Sequence, residues 1–238
     1  CIYKMEKRVS VCIPTYNGAK YIREQLDSIL SQLGESDEIV VSDDSSHDDT
    51  LTIVRSIGDN RIVVLEGGDF KSPIFNVENA LKHSKGRFIF LSDQDDVWMD
   101  GKLSAMLSEL EKYDAVVSDC KVVDQNKNVI EESFFTKRNS GKGFLKNLYK
   151  NTYLGCCMAF RREVLDYVLP FPKDIPMHDM WIGLSVDFRK PVGFINTPYL
   201  LYRRHGENTS TASGESNRSV YRQLLDRITL LFRVLQRI

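Results

Sequence analysis

Two phosphate cradles are missing from this 238-residue chain: it contains no G-x-G-x-x-G and no G-x-x-x-x-G-K-S/T. Backbone N–H groups of a glycine-rich loop are therefore not its way of holding a diphosphate. No apolar run approaches the ~20 residues that span a bilayer, and no signal-peptide pattern is visible. The five cysteines (Cys1, Cys12, Cys120, Cys156, Cys157) form no C-x-x-C pair and no Cys/His ligand spacing, which removes the common zinc and dithiol motifs. Cys12 and Cys120 lie inside apolar runs, where a reduced, buried thiol and a cytoplasmic location are expected. An excess of one charge is also missing. With 32 Lys and Arg against 33 Asp and Glu, the net charge is −1, and no global field draws the chain to nucleic acid.

What is present is ordinary for a soluble globular protein, with 42% hydrophobic and 27% charged residues. Short β-branched runs alternate with helical periodicity. Val-Ser-Val-Cys-Ile-Pro (9–14), Glu-Ile-Val-Val-Ser (38–42), residues 61–65, Phe-Ile-Phe-Leu (88–91) and 115–118 read as strands. Residues 19–31, 50–56, 76–84 and 102–113 read as helices between them. That alternation predicts βαβ units and an α/β fold with a mostly parallel sheet and helices on both faces. Beyond Asp119 the spacing predicts a strand pair over 121–130 and a polar loop over 131–146. It then predicts a strand over 153–160, helices over 162–169 and 179–188, and closing strands over 192–195 and 199–202. Residues 207–217 read as loose.

The strand at 88–91 runs into Ser92-Asp93-Gln94-Asp95-Asp96-Val97-Trp98, and carboxylates at the carboxyl end of a buried strand sit where open α/β sheets bind ligands. In extended chain Asp93 and Asp95 point the same way, roughly 6.5–7 Å apart. Like charges that close repel unless a cation or a proton joins them. An isolated D-x-D is more often a solvated acidic turn. Here a second buried strand also ends in carboxylates, Asp43-Asp44, and neighbouring strand ends would converge both clusters on one crevice. With no glycine-rich cradle, a nucleoside diphosphate would be held by side chains and by Mg²⁺ or Mn²⁺, hard cations that take carboxylate oxygens.

V-S-V-C-I-P-T-Y-N-G, then V-V-S-D-D-S-S-H-D-D-T, then F-L-S-D-Q-D-D-V-W resemble, in order and spacing, the family 2 glycosyltransferases of GT-A fold. S-D-Q-D-D-V-W with F-N-V-E-N-A-L upstream is most similar to a bacterial, rhamnosyltransferase-like branch that builds cell-surface polysaccharide. The resemblance implies a nucleotide pocket lined by Pro14, Thr15 and Tyr16, with Asp43 on the base and Asp44 supporting that loop. It places Asn76 near the nucleotide, although Phe75 stands where the branch has Arg. Asp93 would face the ribose and metal, Asp95 would be the principal ligand of the cation, and Trp98 would pack beneath the loop. In the second half, Met-His-Asp-Met-Trp (177–181) matches the acidic motif that supplies the catalytic base, here Asp179. The alternative for Asp179 is a helix N-cap. Gly155, His178 and Trp181 would meet the acceptor. Tyr-Arg-Arg-His (202–205) resembles the late basic motif, with His205 a third metal ligand and Arg203 and Arg204 on the diphosphate.

The resemblance thus implies an inverting, metal-dependent transfer of one sugar from a nucleotide-diphosphate donor, dTDP-rhamnose or a UDP-sugar, to a saccharide or lipid-linked acceptor. Residues 1–215 would form one GT-A domain, nucleotide-sugar-binding over 9–119 and acceptor-binding over 120–215. A processive synthase is disfavoured, because neither tryptophan follows Q-x-x-R. A metal-dependent nucleotidyltransferase and a receiver-like regulatory domain are the alternatives. The last 20 residues read as a basic amphipathic helix. One face carries Val220, Leu224, Ile228, Leu231 and Leu235, and the other carries Arg222, Arg227, Arg233 and Arg237 with Asp226. Three destinations stay open for it: the inner face of an anionic membrane, the chain's own core, or a partner subunit.

Overall fold

The computed structural model describes residues 8–206 and 219–237. Its sheet begins with β1 (Val9–Thr15), β2 (Glu38–Asp43), β3 (Ile62–Leu65) and β4 (Phe88–Leu91), all mutually parallel. The connections are α1 (Ile22–Leu30), α2 (Thr50–Ser56) and α3 (Pro73–His83). In β1, Val9, Val11, Cys12 and Ile13 are all fully buried, and residues of both parities are covered because the strand is central with layers on each face.

After β4 come β5 (Val97–Trp98), α4 (Lys102–Glu109), β6 (Ala115–Val123) and β7 (Val129–Glu131). The chain continues through α5 (Phe134–Arg138), α6 (Phe144–Tyr149), β8 (Met158–Arg161), α7 (Leu165–Val168), α8 (His178–Asp187), β9 (Gly193–Arg203) and α9 (Val220–Leu235). Strand order is β3-β2-β1-β4-β8-β6-β9-β5, with β7 on β6. Only β8, β5 and β7 run antiparallel to their neighbours. The sheet is therefore mostly parallel, as expected. Thr15 is in register with Asp43, and Cys12 with Leu91, so the first strand's exit loop and both acidic loops emerge at one edge. The parallel β6–β9 pair carries the late basic motif to the same edge.

Three expectations are corrected. Residues 131–146 are not a loop: Phe134 and Phe135 anchor α5 in the core, and Ser133 caps it by accepting the Thr136 N–H. The strand expected over 153–160 is a short 3₁₀ turn, Gly155–Cys157, followed by β8. The two closing strands are one, β9, whose register against β6 shifts near Asp119 opposite Pro198, where a proline is tolerated at a bulge. The loose segment expected at 207–217 lies outside the described residues.

Candidate active site

A cleft of about 760 Å³ opens along that edge, within the range of small-ligand sites. Its first wall is built by the exits of β1 and β2. Pro14, Thr15, the exposed Tyr16 and Asn76 all line it. Asn76 donates Nδ2 to the Thr15 carbonyl at 3.1 Å, while its Oδ1 is buried without a partner.

The two carboxylates after β2 are placed differently from the expectation. Asp43 is fully buried and already accepts from Thr15 Oγ1 (2.8 Å), Ser46 Oγ (2.6 Å) and the Ser46 N–H (2.8 Å). It fixes the loop. Asp44 instead lines the cleft, steadied by the Phe70 N–H at 2.6 Å.

The second wall is the Asp93–Asp96 loop. Gln94, which sequence reasoning passed over, accepts the Tyr16 N–H and donates to the Tyr16 carbonyl, both at 3.0 Å. It thereby latches the two walls together. A Cβ on Gly18 would sit 2.3 Å from Gln94 Oε1, which explains the glycine in Asn17-Gly18. Asp95 and His205 are brought together as expected, with Oδ2 to Nε2 at 2.8 Å, and the His205 ring packs on Tyr21 at 5.0 Å. Burial, then the charges of Asp95 and Asp179, pushes Asp93 up to about 7. Burial, then the charges of Asp95 and Asp93, hold Asp96 well above the carboxylate range. Trp98 packs beneath the loop, donating Nε1 to Ser92 Oγ at 3.2 Å.

Excess negative charge behind this wall is what a cation would relieve. Asp93, Asp95 and His205 are its candidate ligands. Asp93, Asp96 and Cys156 also present ligand atoms within 4.8 Å of one another, but burial keeps the Cys156 thiol protonated.

Neither Arg203 nor Arg204 lines the cleft, which corrects their expected place on the diphosphate. Arg203 is buried, and its guanidinium is committed to the Asp95 carbonyl (2.7 Å), Glu24 (2.6 Å) and the Gln125 carbonyl (2.9 Å). Its backbone N–H donates to Asp96 at 2.9 Å. The basic side chains that do line the cleft are Lys20, His47, Lys71, His178 and His205. The signal for Lys20 is its place in Asn-Gly-Ala-Lys, directly after the exit of β1.

The floor belongs to the start of α8. Met177 is the N-cap, so Asp179 is not the cap residue. Met177 and His178 line the cleft, and Asp179 lies just behind them. Burial pushes Asp179 up to about 7, opposed by N–H donation from Met180 and Gly155. Burial also pushes His178 down to about 4, so its ring is neutral. A Cβ on Gly155 would fall 2.8 Å from His178 Nε2 and 3.6 Å from the Asp179 Cβ; close approach is this glycine's function. Trp181 is not an acceptor contact: it is fully buried and donates Nε1 to the Val168 carbonyl at 3.0 Å. Two residues beyond Asp179, the helix has turned it into the core.

Parallel strand ends that gather two acidic loops, basic side chains and a buried carboxylate around one cleft define a nucleotide-sugar-binding enzyme of GT-A architecture. The model of glycosyl transferase family 2 matches residues 10–169, and the chain belongs to that family; it is a glycosyltransferase. It is 29% identical over 210 residues to the Escherichia coli UDP-Glc:alpha-D-GlcNAc-diphosphoundecaprenol beta-1,3-glucosyltransferase WfgD, covering 87% of this chain and 80% of that one. It is 26% identical over 224 residues to a Campylobacter jejuni GalNAc(5)-diNAcBac-PP-undecaprenol beta-1,3-glucosyltransferase, covering 88% and 69%. The fold superposes on S. aureus TarS 1-349 in complex with UDP with a TM-score of 0.68 at 21% identity, covering 96% of this chain and 72% of that chain. In each pairing the chain spans only part of its relative.

Proposed function

We propose that the chain transfers one hexosyl residue from a UDP-sugar to a saccharide carried on a lipid diphosphate, with inversion at the anomeric carbon. The observation that carries this is Asp179, a carboxyl held at about 7 behind the cleft floor and near Asp93. A general base poised near the working pH is what acceptor activation needs. The relatives' names favour UDP-glucose chemistry over dTDP-rhamnose. Family membership sets aside the nucleotidyltransferase and receiver-like readings.

Asp179 takes the proton of the acceptor hydroxyl as that oxygen bonds to the anomeric carbon. The bond to the diphosphate breaks on the opposite face. Lys20 and Lys71 face the charge that grows on the departing nucleoside diphosphate. A divalent cation on Asp93, Asp95 and His205, when bound, would supply further neutralisation of that charge. His178 stays neutral and holds the floor.

The test is a thermal-shift and transfer panel of UDP- and dTDP-sugars with and without Mn²⁺. A ligand that binds only the native state raises the apparent stability by mass action. A metal-dependent shift with UDP-glucose is expected, and no shift with any nucleotide sugar overturns the reading. Asp95→Ala is expected to abolish the metal-dependent part of that shift; an unchanged titration removes Asp95 as a ligand. Gly155→Ala is expected to displace His178 and Asp179, lowering turnover at least ~10-fold at near-normal donor affinity, since ~1 Å misplacements can cost about 10²-fold. Kinetics at saturating donor check it.

A further inference from the structure

The expected apolar face of α9 does not face the core. Among the described side chains of α9, Leu230 and Val234 are fully buried, whereas Tyr221, Leu224, Leu225, Ile228, Phe232 and Leu235 are exposed, Ile228 and Phe232 by 56% each. At about 100° per residue the six exposed side chains share an arc of about 100°, opposite Leu230 and Val234. This stripe continues onto α6, where Leu145 and Tyr149 are 76% and 75% exposed. Arg227 joins the two helices, donating Nε to the Tyr149 carbonyl at 2.8 Å with its guanidinium 5.6 Å from that ring.

Charge decides what this face meets. Residues 142–150 and 219–237 carry seven Lys and Arg against the single carboxylate Asp226, within a chain of net charge −1. The remainder is therefore at −7. Asp174 takes one of the seven, Arg233, at 2.8 Å, and Asp226 pairs with the exposed Arg222 at 3.6 Å within α9. Two copies pressed together through this face would oppose like charge to like charge. An apolar stripe flanked by cations is matched instead by a surface offering both hydrocarbon and negative charge.

We propose that the α6–α9 face docks on an anionic phospholipid bilayer, with the exposed α9 stripe in the headgroup–acyl boundary and Lys146, Lys150 and Arg222 against lipid phosphates. No helix among the described residues is long and apolar enough to cross a membrane, so the contact lies in the interface. α8 ties this surface to the cleft. Asp179 sits in its first turn, and its far end packs on α6 and α9 through Phe188 on Phe144 and Arg189 on the Arg237 carbonyl. A helix of this length is about 15 Å long, a reach suited to an acceptor held by a membrane lipid. The docking surface itself rests on the exposed face and not on the donor reading.

The test is co-sedimentation of the full chain with vesicles of phosphatidylcholine alone and of phosphatidylcholine with phosphatidylglycerol, beside light scattering without lipid. Expected are a monomer, binding to the anionic vesicles, and weakening at ~1 M salt, where the Debye length falls to about 3 Å. Ile228→Glu with Phe232→Glu is expected to weaken vesicle binding at least ~10-fold. Lys146→Gln, Lys150→Gln and Arg222→Gln together are expected to remove its preference for anionic lipid without touching the apolar stripe. Both variants should keep the wild-type thermal shift with UDP-sugar, which separates this surface from the donor site. Absence of vesicle binding overturns the proposal, as does equal binding by the glutamate variant. A lipid-free dimer that the glutamate variant dissociates also overturns it, assigning the face to a second copy.

Discussion

Asp179→Asn is expected to lower turnover by about 10²–10⁴-fold while leaving UDP-sugar affinity nearly intact, because a positioned general base contributes about that much. The wild-type rate should climb with pH through about 7, where Asp179 ionises, and the variant should lose that limb. Stability should move the opposite way. A carboxyl whose folded-state pKa is raised favours the protonated protein. Its penalty on folding is absent below the unfolded value near 3.8, grows as pH rises, and is complete above about 7. Asparagine cannot ionise, so the variant should be more stable than wild type at pH 8, by an amount on the order of a few kcal/mol. That advantage should vanish toward pH 4. Transfer kinetics and thermal melts across pH check both limbs. A residue that served only the start of α8 would behave differently, losing stability on substitution without a pH-dependent gain. Equal loss of donor affinity would also count against the base assignment.

Much of the framework was legible because buried parallel strands leave a coarse signature. Val-Ser-Val-Cys-Ile, Glu-Ile-Val-Val-Ser and Phe-Ile-Phe-Leu are runs that only a sheet covered on both faces explains, and the two acidic strand ends did converge on one cleft. The errors arose where side-chain direction decides. Asp43 and Asp44 are adjacent, and which of them faces the cleft depends on the Thr15–Asp43 register, a long-range pairing that local sequence does not contain. The hydroxyls of Thr15 and Ser46 then consume Asp43's acceptors. In α9 apolar residues lie on two faces, so helical periodicity identified the stripe without saying which side the core takes. Trp181 looked like a cleft residue because it neighbours Asp179 in sequence, yet two helical positions put it in the core. Helices α5 and α6 are short, and the polar stretch with Gly141 and Gly143 between them hid them; α5 depends on burial of Phe134 and Phe135 rather than on intrinsic propensity.

Arg203 carries the second large expectation. A diphosphate ligand would be free until donor arrives; this guanidinium is occupied already, by a backbone carbonyl on the Asp95 loop, by Glu24 and by Gln125, and it lies 4.6 Å over the Tyr21 ring. Removing it strands the Asp95 carbonyl and leaves the Glu24 carboxylate to its ion pair with Lys127. Hydrogen bonds to charged groups contribute ~1.5–3 kcal/mol each, but Glu24 is 40% exposed, and water repairs part of its loss. Arg203→Ala is therefore expected to cost roughly 2–4 kcal/mol, a fall in melting temperature of about 5–15 °C for a chain of this size, before any ligand is added. Metal-dependent donor binding should weaken with it, because Asp95 is held by this clamp. Arg203→Lys should rescue little: an ammonium cannot address three acceptors in the geometry of a planar fork. The comparison is made on the apo protein. An unchanged apo melting temperature with a selective loss of UDP affinity would return Arg203 to the diphosphate, whereas a lowered one establishes it as the residue that positions the Asp95 loop.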